Sequence, residues 1–405
     1  MQSYSGHYLQ TLDEGDDPDV TEFVSHIVHD GVYHGASDIH IEPWKDNCGV
    51  RLRINGELQE LIYYPKDLHP KVCGRVKVMA NLASHLHGVP QDGKAAPEEH
   101  EGIQLRVSIF PTVHGEKICC RVFNNKGKTY DLGSLGFDDD TYTKFLKVLN
   151  KPSGLLLLTG PTGSGKTTAI YASIFYLLDK HQNKVTIASV EDPVEVPLHW
   201  VNQAQLNIAQ DFTFVAALRS LMRQDPQIIM VGEIRDVDTS SIAVQAGMTG
   251  HMVISTIHSG STSGVFARLI NMDIEPFLLA SSIIGILGVR LVRVNCQYCL
   301  MEYTPDDLSM KMYPEEYLEH THFRKGAGCE QCHDTGFAGR AAITELLVVD
   351  EEVRQAVIEK RPTREIQEIA IAAGMMTLWE NGMQKVMRGE CPLEEVLHVC
   401  AADLM

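Results

Sequence analysis

The sequence predicts an α/β protein built on two sheets of different kinds. In the first third of the chain, short runs alternate apolar and polar residues, the period of half-buried strands. Beyond it, continuous apolar runs are separated by helical patterns, the mark of a parallel sheet covered on both faces. At 405 residues the chain can hold two or three domains of about 150 residues each.

The elements follow in order. Residues 1–18 are polar and acidic and are expected to be frayed. Over 20–33, Phe23, Val24, Ile27, Val28 and Val32 recur at helical spacing, with Gly35 as the stop. Residues 38–42, 50–54 and 57–63 read as strands, and Asn55-Gly56 between the last two signals a tight hairpin. A helix over 70–82 and strands over 104–110 and 117–123 complete a domain at 19–123 with a mostly antiparallel sheet. Residues 124–140, rich in Asn, Lys, Gly and Asp, read as a linker to a second domain at 141–405. That domain starts with a helix at 141–149, followed by strands at 155–158, 185–190, 228–231 and 252–257. Residues 276–289 are apolar but broken by Ser and Gly and end at Arg290. They are expected to form a buried helix, since a membrane span needs about 18 uncharged apolar residues. Residues 341–405 are expected to be helical, with Thr363 as an N-cap, Gly374 after that helix and Pro392 opening the last.

Composition narrows the function classes. Hydrophobic residues make up 44% and charged residues 22%, which excludes disordered, collagenous and coiled-coil chains. The net charge of −18 argues against sequence-independent nucleic-acid binding, which rests on many Lys and Arg contacts to phosphates. The acidic first twenty residues are the opposite of a secretory signal, so the protein is expected in the cytoplasm. Ten cysteines in so long a chain do not suggest a disulfide scaffold.

Gly160-Pro161-Thr162-Gly163-Ser164-Gly165-Lys166-Thr167 fits G-x-x-x-x-G-K-[S/T] in full. It follows an apolar strand and precedes a helical stretch that starts at Thr168, the context the motif requires. The glycines let backbone N–H groups turn inward around a phosphate, and the helix N-terminus adds partial positive charge. Lys166 is expected to reach the β- and γ-phosphates of ATP, and the Thr167 hydroxyl to ligate Mg²⁺. Two acidic clusters end later strands: Glu191-Asp192-Pro193-Val194-Glu195, and Glu233 and Asp236 after Gly232. Carboxylates at the C-terminal ends of parallel strands lie where ligands bind in such sheets. Glu191 is expected to polarise the attacking water and Glu233 to support the metal, although the reverse assignment stays open. Thr249 to His258 places a histidine on each side of a short strand. A histidine beside a γ-phosphate can donate a hydrogen bond and report hydrolysis, so His251 and His258 are candidates.

Cys296-x-x-Cys299 and Cys329-x-x-Cys332 form paired knuckles. Four thiolates brought together suit tetrahedral Zn²⁺, and no acid or base beside them suggests catalysis, so the site is expected to be structural. The intervening stretch exceeds the usual spacing of about 15–20 residues and should form its own small structure.

With these clusters in order, the chain resembles the secretion and pilus-assembly ATPases of the type II secretion and type IV pilus superfamily. The resemblance starts near Pro18 and includes Gly35-Ala36-Ser37-Asp38-Ile39-His40-Ile41-Glu42-Pro43 and Pro90-Gln91-Asp92-Gly93. It continues through the phosphate loop and through Glu191 to Glu195, which looks like the family's Asp box. Arg223-Gln224-Asp225-Pro226 with Gly232 to Asp236 resembles its variant Walker B, and Thr249 to His258 its His box. The four cysteines match the metal-binding subdomain of the assembly branch, which the pilus-retraction branch usually lacks. The resemblance implies a PAS-like α/β domain, a linker and a RecA-like ATPase domain with a zinc subdomain at 290–340. It also implies a ring homo-hexamer, with ATP between the two domains and basic residues of the first turned toward the phosphates. By motif, Arg75, Arg106 and Arg121 are the candidates. It further implies a cytoplasmic motor that docks on an inner-membrane platform protein and powers addition of pilin-like subunits to a fibre.

Three departures stand out. His87-Gly88-Val89 replaces the arginines common before Pro90, and Ser259-Gly260-Ser261 replaces a Thr-Asn pair after His258. The extra N-terminal domain of many secretion ATPases is expected to be absent. Two other classes remain as alternatives: a RecA-like nucleic-acid motor, and a ring scaffold that binds nucleotide with weak hydrolysis.

Overall fold

Alternation in the first unit builds a six-stranded antiparallel sheet, seen in a computed structural model that describes residues 3–12, 18–97, 99–124, 130–313 and 321–401. Its strands are β1 (Asp38–Pro43), β2 (Cys48–Ile54), β3 (Glu57–Tyr64), β4 (Gln91–Ala95), β5 (Ile103–Thr112) and β6 (Gly115–Asn124). They lie in the order β3-β2-β1-β6-β5-β4. Asn55 and Gly56, with φ of 51° and 94°, close the β2–β3 hairpin as expected. Apolar residues alternate onto one face, where Leu52, Leu105, Val107 and Ile118 meet Phe23, Ile27, Val72 and Val76. The last four belong to α2 (Val20–Tyr33) and α3 (His69–Met79).

The expectation of a frayed N-terminus is corrected. Residues Tyr4–Thr11 form a helix, α1, capped by Ser3, whose hydroxyl accepts from Gly6 N–H at 2.8 Å, and tied down by a second element. Asp30 of α2, fully buried, accepts from the backbone N–H of Tyr4 (2.7 Å) and Ser5 (3.0 Å) at its first turn. Residues 13–17 and 125–129, the latter inside the expected linker, lie outside the described residues. The chain divides after Thr129, so Tyr130 already belongs to the second unit, earlier than the expected boundary at 141.

The second unit carries β7 (Gly154–Thr159), β8 (Ile187–Glu191), β9 (Val201–Gln205), β10 (Ile228–Ile234), β11 (Met252–Ile257), β12 (Ile283–Asn295) and β15 (Phe337–Val348). Their order is β15-β12-β7-β11-β10-β8-β9, parallel except for β15 against β12. The fold is the expected RecA-like α/β sheet. Leu155 to Leu158 are all 0% exposed because both faces are covered. Leu155 and Leu157 join one core, Leu156 and Leu158 the other. The second core is closed by α4 (Asp139–Leu149) and α5 (Lys166–Lys180), with Phe145, Ile170 and Ile174 packed against it.

Two more expectations are corrected. Residues 276–289 are not one helix: a short helix spans Pro276–Ser282 and β12 begins at Ile283. The isoleucines of Ile283-Ile284-Gly285-Ile286 are β-branched, which favours extension, the glycine weakens a helix there, and the run pairs in parallel with β7. Residues 341–405 are not wholly helical either, because β15 runs through Val348 before the terminal helices. Between β12 and β15 a two-stranded ribbon, β13 (Leu300–Glu302) with β14 (Arg324–Gly326), forms the expected separate substructure.

Candidate nucleotide site and metal centre

The phosphate loop sits at the C-terminal end of β7 and opens α5 at Lys166. Gly160 has φ of 153°, and a Cβ there would lie 2.4 Å from the Val289 carbonyl oxygen, so only glycine allows the loop to press on β12. Gly163 and Gly165 follow with φ of 78° and 94°. Pro161, Thr162, Gly163 and Thr168 are exposed, and Thr167 is half-buried beside them. Lys166 Nζ donates to the carbonyls of Gly160 and Pro161, both at 2.8 Å. Burial first, then the Arg290 charge, holds its pKa below the usual lysine range, against a smaller upward pull from Glu233. Ser164 is 4% exposed and its hydroxyl has no partner, an orphaned donor inside the loop that suits a phosphate oxygen.

The ends of neighbouring strands bring further groups to this edge. Glu233 on β10 pairs with Arg235 and lies 3.8 Å from His258 Nε2, at the end of β11. Thr159 and Ser259 exchange hydrogen bonds of 3.0 and 3.1 Å, tying the chain after His258 to β7. His251 is not brought here. It precedes Met252, which pairs with Gly154 at the opposite end of β7, on the order of 20 Å along the strand. Glu191 ends β8 nearly buried and accepts from Tyr171, Ser189 and Gln203. Gly232 allows that placement: a Cβ there would meet the Val190 carbonyl oxygen at 3.3 Å and Glu191 Cα at 3.4 Å.

Besides Gln203, two residues at the site escape a reading of motifs. Arg290 on β12 donates to the carbonyls of Val289 (3.1 Å) and Gly260 (2.9 Å), bridging the loop's neighbour and the segment after His258. Tyr171 reaches Glu191 from α5. Only its spacing of one helical turn from Thr167 could have marked it.

The three candidate arginines belong to the first unit. Arg106 and Arg121 are paired across β5 and β6, and Arg121 Nε donates to Asp38 at 3.0 Å. Arg75 lies on α3, which covers the opposite face of the sheet, and its Nε is buried without a partner. The sheet thus separates Arg75 from the other two.

The four cysteine sulfurs of Cys296, Cys299, Cys329 and Cys332 lie within 4.8 Å of one another. The separations of Cys296 from Cys329 and of Cys299 from Cys332 are both 3.9 Å. A tetrahedral zinc with bonds of about 2.3 Å places its sulfurs about 3.8 Å apart, so the donor set and spacing fit. Backbone N–H groups of Gly328 and Gly336 point at Cys299 and Cys332 sulfurs at 3.3 and 3.2 Å, which favours thiolates.

Comparison with known proteins agrees with this geometry. A family model described as Type II/IV secretion system protein matches residues 13–398. The chain is similar to the type IV pilus assembly ATPase PilB of Thermus thermophilus, 41% identical over 387 residues, covering 95% of this chain and 43% of that protein. It is similar to the type II secretion system ATPase E of Vibrio cholerae, 38% identical over 389 residues, covering 96% of this chain and 76% of that one. The chain therefore spans less than half of the first relative and about three quarters of the second. The X-ray structure of the Legionella pneumophila ATPase DotB matches with a TM-score of 0.71 at 18% identity, over 96% of this chain and 98% of that one. At that identity the likeness speaks for the fold alone.

Proposed function

The chain belongs to the type II/IV secretion system protein family, and on that premise we propose that it hydrolyses ATP to power assembly of a pilus or a secretion pseudopilus. The observation that carries the reading is the complete phosphate loop with Glu233 and His258 at the ends of the adjoining strands. In our reading Lys166 leaves the Gly160 and Pro161 carbonyls for the phosphates of ATP. The loop amides and the α5 N-terminus neutralise phosphate charge. The Thr167 hydroxyl and the Glu233 carboxylate would hold Mg²⁺, which would supply positive charge against the negative charge that develops on the phosphates. Glu191 polarises the attacking water. His258 senses the γ-phosphate and passes its loss to Glu233 and to the chain beyond Ser259. The four cysteines hold one structural zinc.

The motor works as a homo-hexamer on the cytoplasmic face of the inner membrane, docked on a platform protein of the machine. No helix among the described residues is long and apolar enough to cross a membrane, which is consistent with recruitment by such a partner. The test is ATP turnover against protein concentration, with molecular mass followed in the same samples. The rate per subunit should rise as a hexamer forms, and Lys166→Ala should abolish it while the melting temperature stays unchanged. A rate independent of assembly would refute the ring motor. Near-normal hydrolysis by the Lys166 variant would remove the nucleotide site from this loop.

A further inference from the structure

Glu191 is only 3% exposed, so nearly everything that determines its orientation is protein. A carboxylate offers about four acceptor positions, two on each oxygen. Three are filled. Ser189 Oγ (2.5 Å) and Gln203 Nε2 (2.9 Å) donate to Oε1, and Tyr171 Oη donates to Oε2 at 2.6 Å. Oε1 is saturated, and Oε2 keeps the one open position. Tyr171 therefore grips the only oxygen of Glu191 still able to accept from water.

The grip comes from the phosphate-binding helix itself. Tyr171 follows Thr167 by one turn of α5, so the helix that receives the phosphates also aims Glu191. The Tyr171 ring is 1% exposed and set edge-on against Tyr130, with centroids 5.4 Å apart. Tyr130, the first residue of the second unit, is fixed in turn by stacking on Phe175 at 5.8 Å and 3°. Burial, and then the hydrogen bond to Glu191, pushes the Tyr171 phenol far above its ordinary range, so it remains a donor. Gln203 is equally constrained: Leu198 N–H donates to its Oε1 at 2.6 Å, and its Nε2 also donates to the Val196 carbonyl at 3.1 Å.

We infer that Tyr171 is a positioning residue for hydrolysis: its hydroxyl aims the open position of Glu191 Oε2 at the attacking water and couples that aim to α5. The inference rests on Glu191 as the acid that polarises water. A misplacement of about 1 Å at a reacting group can cost on the order of a hundredfold in rate, so one lost hydroxyl is enough to matter.

The experiment uses the full chain and compares Tyr171→Phe, Ser189→Ala, Glu191→Gln and the Tyr171→Phe/Glu191→Gln pair. It reads kcat, KM for ATP, the Kd of a fluorescent non-hydrolysable ATP analogue, and the melting temperature. Tyr171→Phe should lower kcat about tenfold or more, ~1.4 kcal/mol of barrier, with analogue affinity within about twofold. Ser189→Ala, which strips a donor from the saturated oxygen, should cost less than about threefold. The double variant should be no slower than Glu191→Gln alone, because Tyr171 acts only through that carboxylate. A Tyr171→Phe enzyme with unchanged or raised kcat overturns the inference. So does a Tyr171→Phe loss shared equally by analogue binding and melting, an equal loss in Ser189→Ala, or multiplicative losses in the double variant. Normal turnover by Glu191→Gln would instead remove the assignment of Glu191 to water, and this inference with it.

Discussion

His69 is held neutral by its surroundings. Its Nδ1 lies 2.7 Å from the Tyr64 hydroxyl and its Nε2 2.8 Å from the Glu116 carbonyl. With the proton on Nε2, both contacts are satisfied: the ring donates to the carbonyl and accepts from the phenol. Burial holds its pKa below 6.5, with Glu116 pulling weakly the other way. His40 is depressed too, by burial and then by the Lys117 charge, and neither of its ring nitrogens has a partner. Both values are lower folded than unfolded, so just below pH 6.5 the unfolded chain binds more protons and stability rises with pH. The contribution is complete above about pH 6.5 and is lost as pH falls below it. The urea midpoint of the first unit, followed by Trp44 fluorescence in a Trp200→Phe/Trp379→Phe chain, should therefore fall between about pH 7.5 and 5.5. Glu42 and Glu116 are held below their ordinary value of 4.5 and stay ionised across that window. A midpoint that stays flat would mean that neither ring is kept neutral by the fold.

Elements that satisfy themselves were legible, and elements that neighbours complete were not. The strand expected at 252–257 coincides with β11 because Met252 to Ile257 are apolar or small and lie between covered faces. β4 and β9 were missed. Both are polar edge strands, and both exist because an adjacent strand offers an unpaired ladder rather than because of their own pattern. The α1 helix was missed too: Ser3 caps it locally by accepting from Gly6 N–H, but the buried carboxylate that holds its first turn in place comes from α2. The site divides likewise. The phosphate loop and the cysteine pairs are contiguous motifs. Tyr171, Gln203 and Arg290 reach the site only through the crossing of α5, β9 and β12. Gly232 stood in the sequence only as the residue before Glu233, and strand packing supplies the reason for it. Its missing Cβ lets β10 approach the backbone of Val190 and Glu191, neither of which can swing aside. Gly232→Ala should push the strands apart by a few tenths of an ångström, costing about 1 kcal/mol of stability and several-fold in turnover. An alanine variant as active and as stable as the parent would show that this close approach is not required.

Across the whole second unit, the cysteine cluster joins segments far apart in the chain. Cys296 and Cys299 follow β12, and Cys329 and Cys332 precede β15, so one bound ion would clamp the outer end of that antiparallel pair. The clamp also reaches the C-terminal helices. Asn295, fully buried beside Cys296, donates through Nδ2 to the carbonyls of Arg324 (2.9 Å) and Gly389 (3.0 Å), and its N–H to Glu390 (2.7 Å). Arg293 stacks on Phe337 at 4.1 Å and bridges to Glu395 at 2.6 Å, adding a second tie from β12 to β15 and the last helix. β12 also pairs with β7, the strand that carries the phosphate loop, so disorder at the cysteines has a short route toward the nucleotide. Structural zinc contributes its binding energy directly to folding. The purified chain should hold one zinc, and a chelator strong enough to remove it should lower the melting temperature by about 5 °C or more. Amide exchange should accelerate first in 296–302 and 324–340, and then in the terminal helices, before β7 responds. A metal-free chain with unchanged melting and unchanged exchange in those segments would leave the four thiols with no structural role.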